Sequence, residues 1–249
     1  NGQMITGCDL NTTINDMEQL QQLTPHVLAA VGSDVDASTA TAYGVIGAID
    51  AYQKRLVTQK GKEKTALVHG CGAVGRVVAE LLIEMSWKVL TVDIDPNKSN
   101  IDGAYALDAT SEWWNEDFDV LIPCSISGLI TEKISKALRV HAVIPAANAP
   151  FSHPSNINIL WDKNIVVIPD PIVNAGAVIA DSIELFDPDS WNSSNPNDIY
   201  EFVRSCVFDN TSIFLNLKEK GLSVENIIEK IIEMKSSRPI GLSFSRGIK

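Results

Sequence analysis

Little in this sequence ties it to an oxidising compartment, a membrane or a nucleic acid. Its 249 residues hold four cysteines, Cys8, Cys71, Cys124 and Cys206, all far apart. None forms a Cys-x-x-Cys pair, so neither a disulfide framework nor a paired-cysteine zinc site is encoded, and a reduced cytosol fits. The four histidines, His26, His69, His141 and His153, are equally scattered. They form no ligand set, and no metal is expected. No apolar run approaches the roughly 18 residues of a membrane span, and no basic start leads into an apolar leader. Positive charge is scarce as well. Lys and Arg number 20 against 31 Asp and Glu, for a net charge of −11, with no basic cluster. A nucleic-acid partner is therefore not expected, because phosphate binding needs a basic face. These absences predict a cytoplasmic protein.

What the chain does hold is enough apolar residue, 45% of the total, to bury a real core as one large domain or one domain with appendages. It also holds a glycine fingerprint, Gly70-Cys71-Gly72-Ala73-Val74-Gly75-Arg76, in full context. The apolar run from Thr65 to Val68 precedes it, a helical stretch from Arg76 to Met85 follows, and a second strand, Lys88 to Val92, ends on Asp93. The first glycine of such a loop permits a tight turn, the second lets the backbone approach a pyrophosphate, and the third lets helix and strand pack closely. Asp93 lies 18 residues past Gly75, close to the roughly 20 expected for a carboxylate that binds the adenosine ribose. Asp95 adds a second negative charge where a 2′-phosphate would sit, with no arginine read nearby, so NAD is expected over NADP.

Elsewhere the pattern alternates. Thr13 and Asp16 make a capped helix start that leads into Met17, Leu20 and Leu23 and stops at Thr24-Pro25. Gly32 to Thr39 reads as a crossing loop, and Ala40 to Leu56 as a helix. Further strands are predicted at Asp119–Pro123, His141–Pro145 and Asn164–Ile168, with a helix at Leu129–Leu138 between the first two and a loop-rich stretch between the last two. Leu185 to Asn197 reads as loop. Behind a Ser223 cap, Val224, Ile227, Ile228, Ile231 and Ile232 fall at helical spacing. Alternating strands and helices predict an α/β fold with a doubly wound, mostly parallel sheet, its functional groups at the strands' C-terminal ends. His69 and His141, on predicted strands, read as satisfied core residues. Cys124 reads as packing rather than a nucleophile, since no base accompanies it, and Trp113-Trp114 as packing rather than base stacking.

Several blocks together resemble one family. Ile5-Thr6-Gly7-Cys8-Asp9-Leu10-Asn11-Thr12, Thr41-Ala42-Tyr43-Gly44-Val45, the fingerprint, Pro123-Cys124-Ser125-Ile126-Ser127-Gly128, Ala146-Ala147-Asn148 and Val173-Asn174-Ala175-Gly176-Ala177-Val178-Ile179 occur in order. The whole chain resembles the C-terminal two thirds of the glutamate/leucine/phenylalanine/valine dehydrogenase superfamily, nearest its leucine, phenylalanine and tryptophan dehydrogenase branch. That resemblance implies a Rossmann-like NAD domain. It also implies reversible, NAD-dependent oxidative deamination of a neutral apolar L-amino acid, large aliphatic or aromatic, to its 2-oxo acid and ammonia. Asp9 matches the catalytic, proton-shuttling aspartate. Thr41 and Asn174 match positions around the nicotinamide carboxamide; Gly70, Gly72, Ala73, Val74, Gly75 and Asp93 match the phosphate and ribose contacts; Cys124, Ser125, Ile126 and Asn148 match cofactor-lining loops. Gly7, Asn174 and Val178 match positions around the substrate, with Gly7→Ala expected to narrow the pocket. The resemblance also divides the chain into a substrate-domain remnant with crossing loop (1–37), a dinucleotide domain (38–186) and C-terminal helices that pack back (187–249).

Departures accompany the match. In the family a preceding substrate domain supplies two lysines, and this chain has no glycine-rich, lysine-bearing segment to do so. The chain is thus expected to bind cofactor without turning over, the full-length protein to be a homo-oligomer. His69 stands where glutamine is usual, the loop at 32–38 is short, and the tail from Arg238 matches poorly. The competing reading is a shortened or non-catalytic dinucleotide-binding paralogue, with a 2-hydroxy-acid dehydrogenase a distant third.

Overall fold

The computed structural model describes residues 4–8, 12–28, 31–55, 64–236 and 239–247. Near the N-terminus, Thr6 bridges to Val27 and exchanges backbone hydrogen bonds with His26 and Leu28. Between them lies α1 (Ile14–Gln21), started by a reciprocal capping box: the Asp16 amide donates to the Thr13 hydroxyl, and the Asp16 carboxylate accepts from the Thr13 amide. The long α2 (Ala37–Arg55) follows. It begins three residues before the sequence predicts because Asp36 accepts from the Thr39 amide at 2.7 Å, which caps the helix.

The chain then alternates: β1 (Thr65–His69), α3 (Ala73–Glu84), β2 (Lys88–Val92), α4 (Pro96–Ser99), β3 (Tyr105–Leu107), β4 (Val120–Pro123), α5 (Glu132–Ala137), β5 (Ala142–Val143), α6 (Asn156–Asp162) and β6 (Val166–Val167). After these come α7 (Asp170–Val173), α8 (Gly176–Phe186), α9 (Pro188–Ser193), α10 (Pro196–Glu219), α11 (Val224–Lys235) and α12 (Gly241–Gly247). Every strand pairing is parallel and the spatial order is β3-β2-β1-β4-β5-β6. That order is the doubly wound dinucleotide-binding topology, which reverses direction between β1 and β4.

Alternate strand residues feed two cores. Ala66, Val68, Val120, Ile122, Ala142 and Ile144 join the larger one with α2, α3, α8 and α10. Leu67, Leu90, Leu121, Val143 and Val167 join the other with α5, α6 and Trp113. Helices thus cover both faces, as an all-parallel sheet requires.

Four sequence expectations need correction. The edge strand β3 was unpredicted; its Tyr105 and Ala106 are exposed, so it carries no apolar signal. The stretch before β6 holds α6, whose only fully apolar anchor is Leu160. Leu185–Asn197 is mostly helical, because Asp187-Pro188 and Asn195-Pro196 open helices rather than a loop; Pro at a first helical turn loses no hydrogen bond. His141 is not a core residue. It precedes β5, its ring is largely exposed, and it meets the Asp119 carboxylate at 3.4 Å.

Candidate functional site

The crevice at the β1/β4 reversal is built by three glycines with three different surroundings. Gly70 has φ +94°, and a side chain there would stand 2.6 Å from the Ser125 Cβ. Gly72, which precedes the first turn of α3, faces open space: a Cβ would meet no atom within 4 Å. At Gly75 a Cβ would overlap the Gly70 carbonyl oxygen and lie 3.0 Å from the Cys124 Cβ. Turn, open approach and close helix–strand packing are thus separated residue by residue. Ala73 and Val74 complete the first turn of α3, whose unpaired amides face the crevice.

Asp93 follows β2. Its carboxylate accepts from the Cys71 amide at 2.7 Å and from the Asp95 amide at 2.9 Å, which fixes it against the glycine loop. Asp95 caps α4 through the Asn97 amide. Contrary to the sequence reading, an arginine does stand nearby. Arg76 donates to the Lys98 carbonyl of α4 at 3.4 Å, while Glu80 holds its guanidinium at 3.6 Å.

Across the crevice, the Cys124 amide donates to the His69 carbonyl, and Ser125 Oγ lies 2.9 Å from His69 Nδ1. The His69 ring packs on Trp113 with centroids 4.8 Å apart. Burial pushes its pKa down to about 4, so at neutral pH it is an uncharged partner for Ser125. The same burial pushes the Cys124 thiol well above its ordinary value and Cys71 up to about 11. Neither is a thiolate nucleophile. Ile126 is exposed at the lip.

Past β5 and β6 the remaining candidates converge. Asn174 Nδ2 donates to Asn148 Oδ1 at 2.6 Å, and the Ala149 amide donates to the Asp170 carboxylate at 2.9 Å. Gly176 fits so tightly under α2 that a Cβ would lie 2.6 Å from the Thr41 Cα, placing Thr41 beside this loop. The buried Thr41 hydroxyl donates to the Ala37 carbonyl at 2.9 Å.

Along the exposed face of α8 runs an open groove of about 490 Å³ lined by Leu28, Val178, Asp181, Phe186 and Ile232 among others. Val178, expected at the substrate, lines it. Gly7 does not open it as expected: a methyl there would overlap the Leu28 carbonyl, so Gly7→Ala would shift backbone rather than trim the pocket. Asp9, the expected catalytic group, lies outside the described residues.

Sequence reasoning missed His69 as the partner of Ser125, Arg76 reaching across to α4, and Asp181. The last had a readable signal, a carboxylate three residues after Val178 and so on the same helix face. Among the described residues no His/Cys/Asp/Glu group suits a metal, and no helix is long and apolar enough to cross a membrane.

Known proteins share both this sequence pattern and this fold. The family model described as Glutamate/Leucine/Phenylalanine/Valine dehydrogenase matches residues 32–97 and 93–207. A phenylalanine dehydrogenase of Lysinibacillus sphaericus is 32% identical over 200 residues, 76% of this chain and 52% of its own. A leucine dehydrogenase of Geobacillus stearothermophilus is 31% identical over 196 residues, 75% and 53% respectively. This chain thus spans about half the length of these two relatives. The crystal structure of an L-tryptophan dehydrogenase from Nostoc punctiforme shares the fold, with a TM-score of 0.74 at 22% identity over 99% of this chain and 70% of that one.

Proposed function

The chain belongs to the glutamate/leucine/phenylalanine/valine dehydrogenase family, and from that premise we propose that it is the cofactor-binding part of an NAD-dependent L-amino-acid dehydrogenase. The reaction is reversible oxidative deamination of a neutral, apolar L-amino acid to its 2-oxo acid and ammonia. One observation carries the reading: a helix N-terminus opened by a glycine with nothing within 4 Å, facing a carboxylate fixed at the end of the next strand. The first suits a pyrophosphate, the second a ribose diol. Bound NAD supplies the hydride acceptor. The protein's own groups do the rest: the paired amides of Asn148 and Asn174, beside Thr41, orient the nicotinamide end, and Asp9 moves protons to and from the amino group.

In this reading residues 1–37 complete a substrate domain, 38–186 form the dinucleotide domain, and 187–249 pack back on it. The two substrate-handling lysines come from chain outside this sequence. Assembly as a homo-oligomer in the cytoplasm is part of the same proposal; a structural relative, the glutamate dehydrogenase of Thermus thermophilus, is hetero-hexameric.

The decisive test is direct. NAD should bind the isolated chain by calorimetric titration, and the complete protein should reduce NAD only when an L-amino acid is present. Binding without any amino-acid-dependent reduction in the complete protein would instead support the shortened, non-catalytic paralogue.

Two outcomes at single residues follow from the geometry. Asp93→Ser removes the proposed ribose acceptor and one of the two charges, the other being Asp95, that would repel a 2′-phosphate, so NAD affinity should fall by about tenfold and the preference for NAD over NADP should narrow. Titration of the variant with both cofactors checks this; an unchanged ratio would remove Asp93 from the ribose. His69→Gln retains a side-chain partner for Ser125 and should keep NAD affinity within about twofold, whereas His69→Leu should lose about fivefold. Equal affinity of the two variants would show that Ser125 needs no such partner.

A further inference from the structure

The exposed stripe of α8 carries Val178, Asp181, Ser182 and Leu185, spaced so that all four share one face, while Ile179, Ala180 and Ile183 point into the core. That stripe forms one wall of the 490 Å³ groove, opposite Leu28 and Ile232. Its polar groups differ in what they already bind. The Ser182 hydroxyl accepts from the Gly241 amide at 2.9 Å, tying α12 to α8. Among the described residues, no hydrogen bond or ion pair reaches the Asp181 carboxylate, although Lys235 lines the same groove from α11. The fold gains nothing from an acid here. A half-buried carboxylate without a donor costs free energy, and loss of hydration pushes its pKa up to about 6.

The groove also adjoins the groups that the proposed reaction needs. Val178 lies on it, and the loop of Asn174 leads straight into α8. Building on the dehydrogenase reading, we propose that Asp181 recognises the far end of the substrate side chain by accepting a hydrogen bond from a neutral N–H or O–H. The substrate is then an L-amino acid whose largely apolar, aromatic-sized side chain ends in such a donor, as a phenol or an indole does. A cationic end fits less well, because Lys235 lines the same groove and its ammonium would repel it. A neutral donor gives up little water and relieves a carboxylate that otherwise has no partner.

Matched substrate pairs, assayed with the complete protein that contains this chain, test it. Tyrosine should exceed phenylalanine in kcat/KM by about tenfold or more, since a site built around an acceptor discriminates against the analogue without the donor. Asp181→Leu should bring that ratio below one, and Asp181→Asn, which keeps an acceptor oxygen and the residue's shape, should fall between. A parent enzyme that prefers phenylalanine, or a ratio untouched by Asp181→Leu, overturns the proposal. So does a preference for lysine over norleucine larger than that for tyrosine over phenylalanine, which would assign the carboxylate to a cation. Turnover of no amino acid at all, with NAD bound, defeats the dehydrogenase reading itself and is thereby distinguished from failure of the donor assignment alone.

Discussion

Gly72→Val is expected to weaken dinucleotide binding by at least about 100-fold while leaving the protein folded, whereas Gly75→Val is expected to damage the fold itself. The two glycines stand three residues apart in one loop, yet their surroundings differ in kind. Around Gly72 a Cβ meets nothing within 4 Å, and its φ of −73° suits any residue. An isopropyl group is accommodated there without strain, in the space through which a pyrophosphate would approach the amides of α3. At Gly75 the same group overlaps the Gly70 carbonyl and presses on Cys124, which directly follow β1 and β4. The helix must then move off β1, and overpacking of this kind typically costs about 1–3 kcal/mol or more. Calorimetric NAD titration and urea unfolding on each variant separate the effects. A Gly72→Val protein that binds NAD as the parent does would show that phosphates do not pass there.

The same loop shows why so much of this crevice was legible in the sequence. A phosphate-binding turn depends on local backbone chemistry: glycine where φ is positive, glycine where a helix meets a strand, an acid at the end of the next strand. All of it lies between Gly70 and Asp93, and β2 appears with the predicted limits. Legibility fades where structure depends on distant partners. The predicted strands at 141–145 and 164–168 shrink to two paired residues each, because only Ala142–Val143 and Val166–Val167 find neighbours in register. Polar, proline-containing sequence is ambiguous in the same way, since Asp187 and Asn195 suit a loop and a helix start equally well. His141 sits among apolar neighbours in sequence but faces outward toward Asp119. Arg76 escaped notice because it reaches α4 across 22 residues of chain, and Asp181 because its groove needs Leu28 from one end of the sequence and Ile232 from the other.

Asp181→Asn should stabilise the protein by about 2–3 kcal/mol at pH 8 and by almost nothing near pH 4. An aspartate with an ordinary pKa near 3.8 unfolded and about 6 folded favours the protonated native state. Its burial therefore costs nothing below pH 4, and the penalty grows as pH rises through 6. His69 acts in the opposite sense. Its pKa falls from about 6.5 to about 4 on folding, so it costs nothing above pH 7 and becomes destabilising as pH drops toward 4. The two shifts are of similar size and share nearly one pH window. In the parent they offset each other, and these two residues leave stability almost level between pH 7 and pH 4. Removing one exposes the other: the Asp181→Asn protein should start higher at pH 8 and then lose stability on acidification, as His69 takes up its proton only by unfolding. Burial pushes the Cys8 thiol, which feels the Asp181 charge, above its ordinary value, so it stays protonated across this window. Urea unfolding of parent and variant at pH 8, 6 and 4 reads this directly. A stability difference that stays constant across the three would show that Asp181 is solvated like any surface carboxylate.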